Sequence, residues 1–120
     1  MQDIYISDAG KGFPLVLVHG FLGSSKMWEP QINFFKKYFR TITLDLPGFG
    51  KSNSIKSQNN ITSMANLILQ SLEKKKIKKF HLMGHSMGGM IVQEMAKECG
   101  EKIDKLICYS TGPMGEMPGR

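Results

Sequence analysis

Apolar residues in this 120-residue chain fall into short continuous runs and longer periodic stretches, and the two kinds alternate. Pro14-Leu15-Val16-Leu17-Val18 is unbroken and bounded by His19-Gly20, which predicts a strand buried on both faces. Residues 40–46, 79–84 and 106–111 predict three further strands of similar length. Between them, Trp28, Ile32, Phe35 and Phe39 recur at helical spacing and predict a helix over 26–39, capped by Ser24 or Ser25. Ala65, Ile68, Leu69 and Leu72 predict a second helix over 63–76 capped by Thr62, and 87–98 reads as a third. At the N-terminus, 2–7 alternates, with Ile4 and Ile6 on one side. Asp8-Ala9-Gly10-Lys11-Gly12 follows it, a strand and hairpin signal. Strands separated by helices of this length call for βαβ units and a parallel sheet, with right-handed crossovers placing helices on both faces.

Composition narrows the class. A chain of 13.5 kDa holds one domain at most, with no internal repeat and no Pro-rich linker. The net charge of +6 would matter if the basic residues formed one face. The densest run, Lys74-Lys75-Lys76-Ile77-Lys78-Lys79, instead falls where the second helix should end, and cations are favourable there. No aromatic interleaving accompanies it, so no nucleic-acid partner is expected. Cys99 and Cys108 lack CxxC spacing and are expected as buried free thiols. The N-terminus has no leader pattern and the apolar runs are far too short to span a bilayer, so a cytoplasmic protein with no membrane partner is expected. Residues 52–60 are a polar loop, and 112–120 have no apolar period, as in a connection leading onward.

The chemistry concentrates at Gly84-His85-Ser86-Met87-Gly88, followed by Gly89. Between a predicted strand and a predicted helix, G-x-S-x-G reads as a nucleophile elbow, a turn that lifts a serine hydroxyl onto a helix N-terminus. The backbone there is strained and tight, and Gly84 and Gly88 remove side chains that would collide. The Met87 N–H, at the positive end of the helix dipole, can stabilise an oxyanion. The pentapeptide alone is weak evidence. Its setting strengthens it.

Two more segments join the elbow in order: Val18-His19-Gly20-Phe21 after one strand, and Asp45-Leu46-Pro47-Gly48-Phe49-Gly50-Lys51-Ser52 after the next. Together the three resemble the α/β-hydrolase superfamily over nearly the whole chain. The residues after the elbow, with Met27-Trp28, look most like esterase, lactonase and peroxidase-like members. His19-Gly20-Phe21-Leu22-Gly23-Ser24 also resembles members acting in menaquinone synthesis. The resemblance implies Ser86 as nucleophile and the Phe21 and Met87 N–H groups as oxyanion hole, each donor worth about 2.7–4 kcal/mol in the transition state. It assigns His19 and Asp45 to shaping the loops. It also implies a triad acid and histidine after later strands, beyond a cap.

Serine needs a base, and no histidine follows Ser86 in this sequence. His81 lies five residues earlier, about 16 Å back along its strand. Asp104 starts the next strand, at the opposite edge of the sheet. His85 points to the other face from Ser86, and Glu94 and Glu98 lie on a helix leading away. His81 and His85 sit about 13 Å apart on a strand and cannot share a metal. Gly48-Phe49-Gly50-Lys51-Ser52 lacks the first glycine of a phosphate loop. The expectation is therefore the N-terminal part (1–120) of a single α/β-hydrolase domain, truncated before the cap and last strands. Its small-molecule substrate would be an ester, a lactone or a related carbonyl, with no cofactor and no metal. The chain alone would be inactive. A non-catalytic interaction module is the rival, as is a C–C-bond hydrolase of the menaquinone-pathway kind. Oligomeric state stays open.

Overall fold

A computed structural model describes residues 4–19, 28–47 and 60–109. In chain order these form β1 (Ile6–Ala9), β2 (Pro14–Val18), α1 (Glu29–Phe35), β3 (Arg40–Leu44), α2 (Ile61–Lys74), β4 (Phe80–His85), α3 (Met87–Cys99), a single 3-10 turn and β5 (Ile103–Tyr109). They make one five-stranded sheet in the order β1-β3-β2-β4-β5, parallel except for β1.

The hairpin expected at the N-terminus does not form. β1 bypasses β2 and pairs antiparallel with β3, Ile6 opposite Leu44 and Ala9 opposite Thr41. Gly10 and Gly12 take positive φ (86° and 112°), and a Cβ on Gly10 would lie 2.5 Å from the carbonyl oxygens of Lys36 and Phe39. The turn is thus pressed onto the segment entering β3, where Arg40 clasps Asp8 at 2.7 Å.

The faces follow from strand alternation. Val16, Val18, Ile42, Leu44, Phe80 and Leu82 face α2 and α3, packing on Met64, Ala65, Ile68, Leu72, Ile91, Val92 and Met95 in the main core. Leu15 and Leu17 face the other way, against Trp28, Ile32, Phe35, Phe39 and Met83.

The helix ends differ from those the periodicity predicts. α1 has seven residues, with Trp28 at its N-cap, and no residue of it is fully buried. Tyr38 and Phe39 N–H groups both bond the Phe35 carbonyl, closing the helix early. α2 starts at Ile61 because Asn60, not Thr62, is the cap: its side chain accepts from the Ser63 N–H at 2.7 Å. At its other end Lys76 takes φ 63°, while Ile77 N–H bonds the Leu72 carbonyl (3.0 Å) and Lys76 N–H that of Glu73 (2.9 Å). That is a Schellman closure with lysine where glycine is usual, sealed by the buried Ile77–Leu72 contact. The lysines around it are exposed, as in a solvated helix end. β5 begins at Ile103, three residues before the expected start, and the thiols are not buried: Cys99 is half-buried and Cys108 exposed.

Candidate active site

β2 hands the chain to β3 on one side, and β3 returns it across β2 to β4 on the other, so strand order reverses between β2 and β4. Open α/β sheets bind ligands at the carboxyl ends of strands flanking such a reversal. Val18 stands beside Gly84 in register, which brings His19 and Ser86 to that point.

Ser86 has φ 57° and ψ −122°, outside the left-handed helical basin that non-glycine residues tolerate best. Backbone of this kind costs roughly 1–3 kcal/mol and is held only by firm surroundings. Those surroundings are glycine contacts. A Cβ on Gly88 would lie 2.8 Å from the Val18 carbonyl carbon and 2.5 Å from the His19 oxygen. One on Gly84 would lie 2.7 Å from the Gly89 Cα. The first turn of α3 therefore rests directly on the ends of β2 and β4. Ser86 occupies the N-cap position of α3, yet its hydroxyl makes no capping hydrogen bond. Ser86 O accepts from Gly89 N–H at 2.9 Å, and the earlier amides of α3 have no partner inside the helix. A half-buried hydroxyl thus stands at the positive end of a helix dipole without serving that helix.

His19 is fully buried, and its Nε2 accepts the Leu46 N–H at 3.0 Å. A nitrogen committed as acceptor to backbone is tied to the loop, joining the ends of β2 and β3. Asp45, also buried, donates its N–H to the Tyr5 carbonyl (3.0 Å) and draws in the segment before β1. His85 is half-buried and meets the buried Trp28 ring edge-on, 6.5 Å between centroids. Glu94, nearly buried on α3, accepts from the Thr62 hydroxyl (3.2 Å) and pins α3 to the first turn of α2. The sequence carried no signal for that tie, since helix spacing does not say which carboxylate meets a neighbouring helix.

His81 and Asp104 lie together at the opposite end of the strands, Nδ1 to Oδ2 3.5 Å, with Phe13 and Phe39 rings against the imidazole (4.7 and 5.6 Å). Phe21 and the Gly48–Ser52 segment fall outside the described residues. Among the described residues no cluster of three His, Cys, Asp or Glu side chains could hold a metal, and no helix is long and apolar enough to cross a membrane.

The sequence matches the α/β-hydrolase fold family over residues 14–118. The chain belongs to that family. It is 31% identical over 114 residues to a pimeloyl-[acyl-carrier protein] methyl ester esterase of Pectobacterium carotovorum, covering 94% of this chain and 43% of that one. The structure superposes on a thermophilic esterase from Thermogutta terrifontis with TM-score 0.88 and 31% identity, over 96% of this chain and 43% of that one. An N-acyl homoserine lactone degrading enzyme gives TM-score 0.85 and 26% identity, over 91% and 42%. The chain spans less than half the length of each of these hydrolases.

Proposed function

We propose that Ser86 is the nucleophile of an α/β-hydrolase acting on a carboxylic ester, a lactone or a related carbonyl. Its Oγ attacks the carbonyl carbon, the alcohol leaves, and water releases the acid from the acyl-enzyme. The Met87 and Phe21 N–H groups hold the oxyanion meanwhile, aided by the dipole of α3. The base and its carboxylate come from the part of the domain lying beyond the matched region in the relatives. His19 is committed to backbone and His81 stands at the wrong strand end.

One observation carries the reading: a strained serine at the strand-order reversal whose hydroxyl does not cap the helix it precedes. The relatives named for ester and lactone substrates support that carbonyl class. The test is fluorophosphonate labelling of the assembled hydrolase domain. Labelling that disappears in Ser86→Ala is expected, and labelling that survives the substitution overturns the proposal.

A further inference from the structure

A net charge of +6 gains a meaning when its carriers share one face, and here they do. β2, β3, β4 and β5 are parallel, so their amino ends lie together with the C-termini of α1, α2 and α3. Every lysine among the described residues, and the arginine, sits on the turns, helix ends and strand starts at that pole. Lys11 lies in the turn before β2, Lys36 and Lys37 between α1 and β3, and the lysines of 74–79 between α2 and β4. Lys97, Lys102 and Lys105 frame the entry to β5. All these lysines are exposed except half-buried Lys102. The acids at this pole are fewer. Asp8 is clasped by Arg40 (2.7 Å), Glu73 meets Lys102 (3.7 Å), and Asp104 stands by His81, which leaves Glu98 and Glu101. Among the described residues the other pole carries Glu29 and Asp45 and no lysine or arginine.

Three aromatic rings break the same basic surface. Phe13, Phe34 and Tyr38 are 39%, 55% and 63% exposed, and Phe34 and Tyr38 lie ring to ring at 5.6 Å. The turn of Gly10 and Gly12 is pressed against the carbonyls of Lys36, Tyr38 and Phe39, and the Arg40 N–H bonds the Phe13 carbonyl at 3.1 Å. Lys11, Phe13, Lys36, Lys37 and Tyr38 therefore form one patch, with Phe34 beside it. Hydration of such rings is unfavourable, and transfer to an apolar phase relieves it.

We infer that this pole docks on an anionic lipid surface, with Phe34 and Tyr38 entering the boundary between headgroups and acyl chains and the lysines lying against the phosphates. Charge complementarity names the class of partner, and the kind of cation selects within it. Lysine is a compact charge on a flexible stem, suited to a diffuse anionic layer, whereas a bidentate grip on single phosphates or bases favours arginine. The one described arginine is held by Asp8. Phe34 and Tyr38 are packed on each other at 54°, a wedge for acyl chains and not a pair of free faces for bases. Such a contact needs no spanning segment, so short apolar runs do not oppose it. Ser86 lies at the far pole, and docking in this way turns it away from the lipid. The inference does not depend on Ser86 being the nucleophile.

The test is cosedimentation of the full chain with vesicles at about 0.1 M salt. Vesicles of phosphatidylcholine with about one third phosphatidylserine should bind it, and phosphatidylcholine alone should bind at least about tenfold less. Lys36→Ala with Lys37→Ala should weaken binding about 25-fold, and Phe34→Ser with Tyr38→Ser at least about tenfold, each with an unchanged circular dichroism spectrum. Trp28, the only tryptophan, is buried, so in Tyr38→Trp the emission of the added indole reads the contact itself. A blue shift on anionic vesicles is expected. Equal binding to both kinds of vesicle, binding indifferent to the aromatic pair, or no shift in Tyr38→Trp overturns the inference. So does preferential capture by a DNA or RNA duplex at equal phosphate concentration, which would make the face a nucleic-acid surface.

Discussion

The two ends of the strands hold similar residues in very different states. At the amino ends, His81 and Asp104 come within 3.5 Å, the spacing of an acid and a base, and are packed by two phenylalanine rings. At the carboxyl ends, Ser86 stands in strained backbone at a helix N-terminus, and the nearest buried histidine is tied to a loop amide. A dyad by distance lies at the end where α2 and α3 bring their C-termini, away from the strand reversal and from the N-terminus of α3. The proposed nucleophile lies at the reversal, on a helix N-terminus. Position in the sheet, more than side-chain pairing, marks chemistry here.

Four substitutions can break or sharpen that contrast. Ser86→Ala should reduce hydrolysis by the assembled domain on the order of 10⁴–10⁶-fold, read as kcat on a short-chain ester. Activity within tenfold of the parent would erase the distinction between the two ends. Gly88→Ala forces a methyl into the Val18–His19 carbonyls and should cost about 1–3 kcal/mol, seen as a lower denaturant midpoint. An unchanged midpoint would mean that α3 can slide away from β2. Asn60→Ala removes the cap of α2, whose first turn holds Glu94 through Thr62, and should cost about 1 kcal/mol in the same titration. Smallest is Asp104→Asn. The carboxylate is half exposed, so the loss should stay within about 0–1 kcal/mol, with no change in ester hydrolysis. A drop in kcat there would make the amino-end pair part of the machinery.

Much of this was legible in the sequence, and the reasons differ by element. β2, β3 and β4 show as apolar runs because both of their faces are covered. The elbow shows because Gly84, Ser86 and Gly88 meet through covalent spacing, with no long-range information needed. The partner of β1 did not show, since a turn signal says that the chain reverses but not which strand it joins. The cap of α2 was misplaced by two residues because both Asn60 and Thr62 are competent caps, and Thr62 is engaged by a carboxylate 32 residues away. The thiols differ from expectation because Cys108 lies on β5, the edge strand among the described residues, and no local pattern encodes which strand ends the sheet.

The backbone of Ser86 has one consequence for how such a protein drifts. Glycine accepts φ 57° and ψ −122° without the penalty a Cβ brings, so Ser86→Gly should fold at least as well as the parent while lacking the nucleophile. A population selected only for yield or thermal endurance would be drawn toward that silent variant. On the proposed role, reactivity and the preference of the fold pull in opposite directions at this one turn.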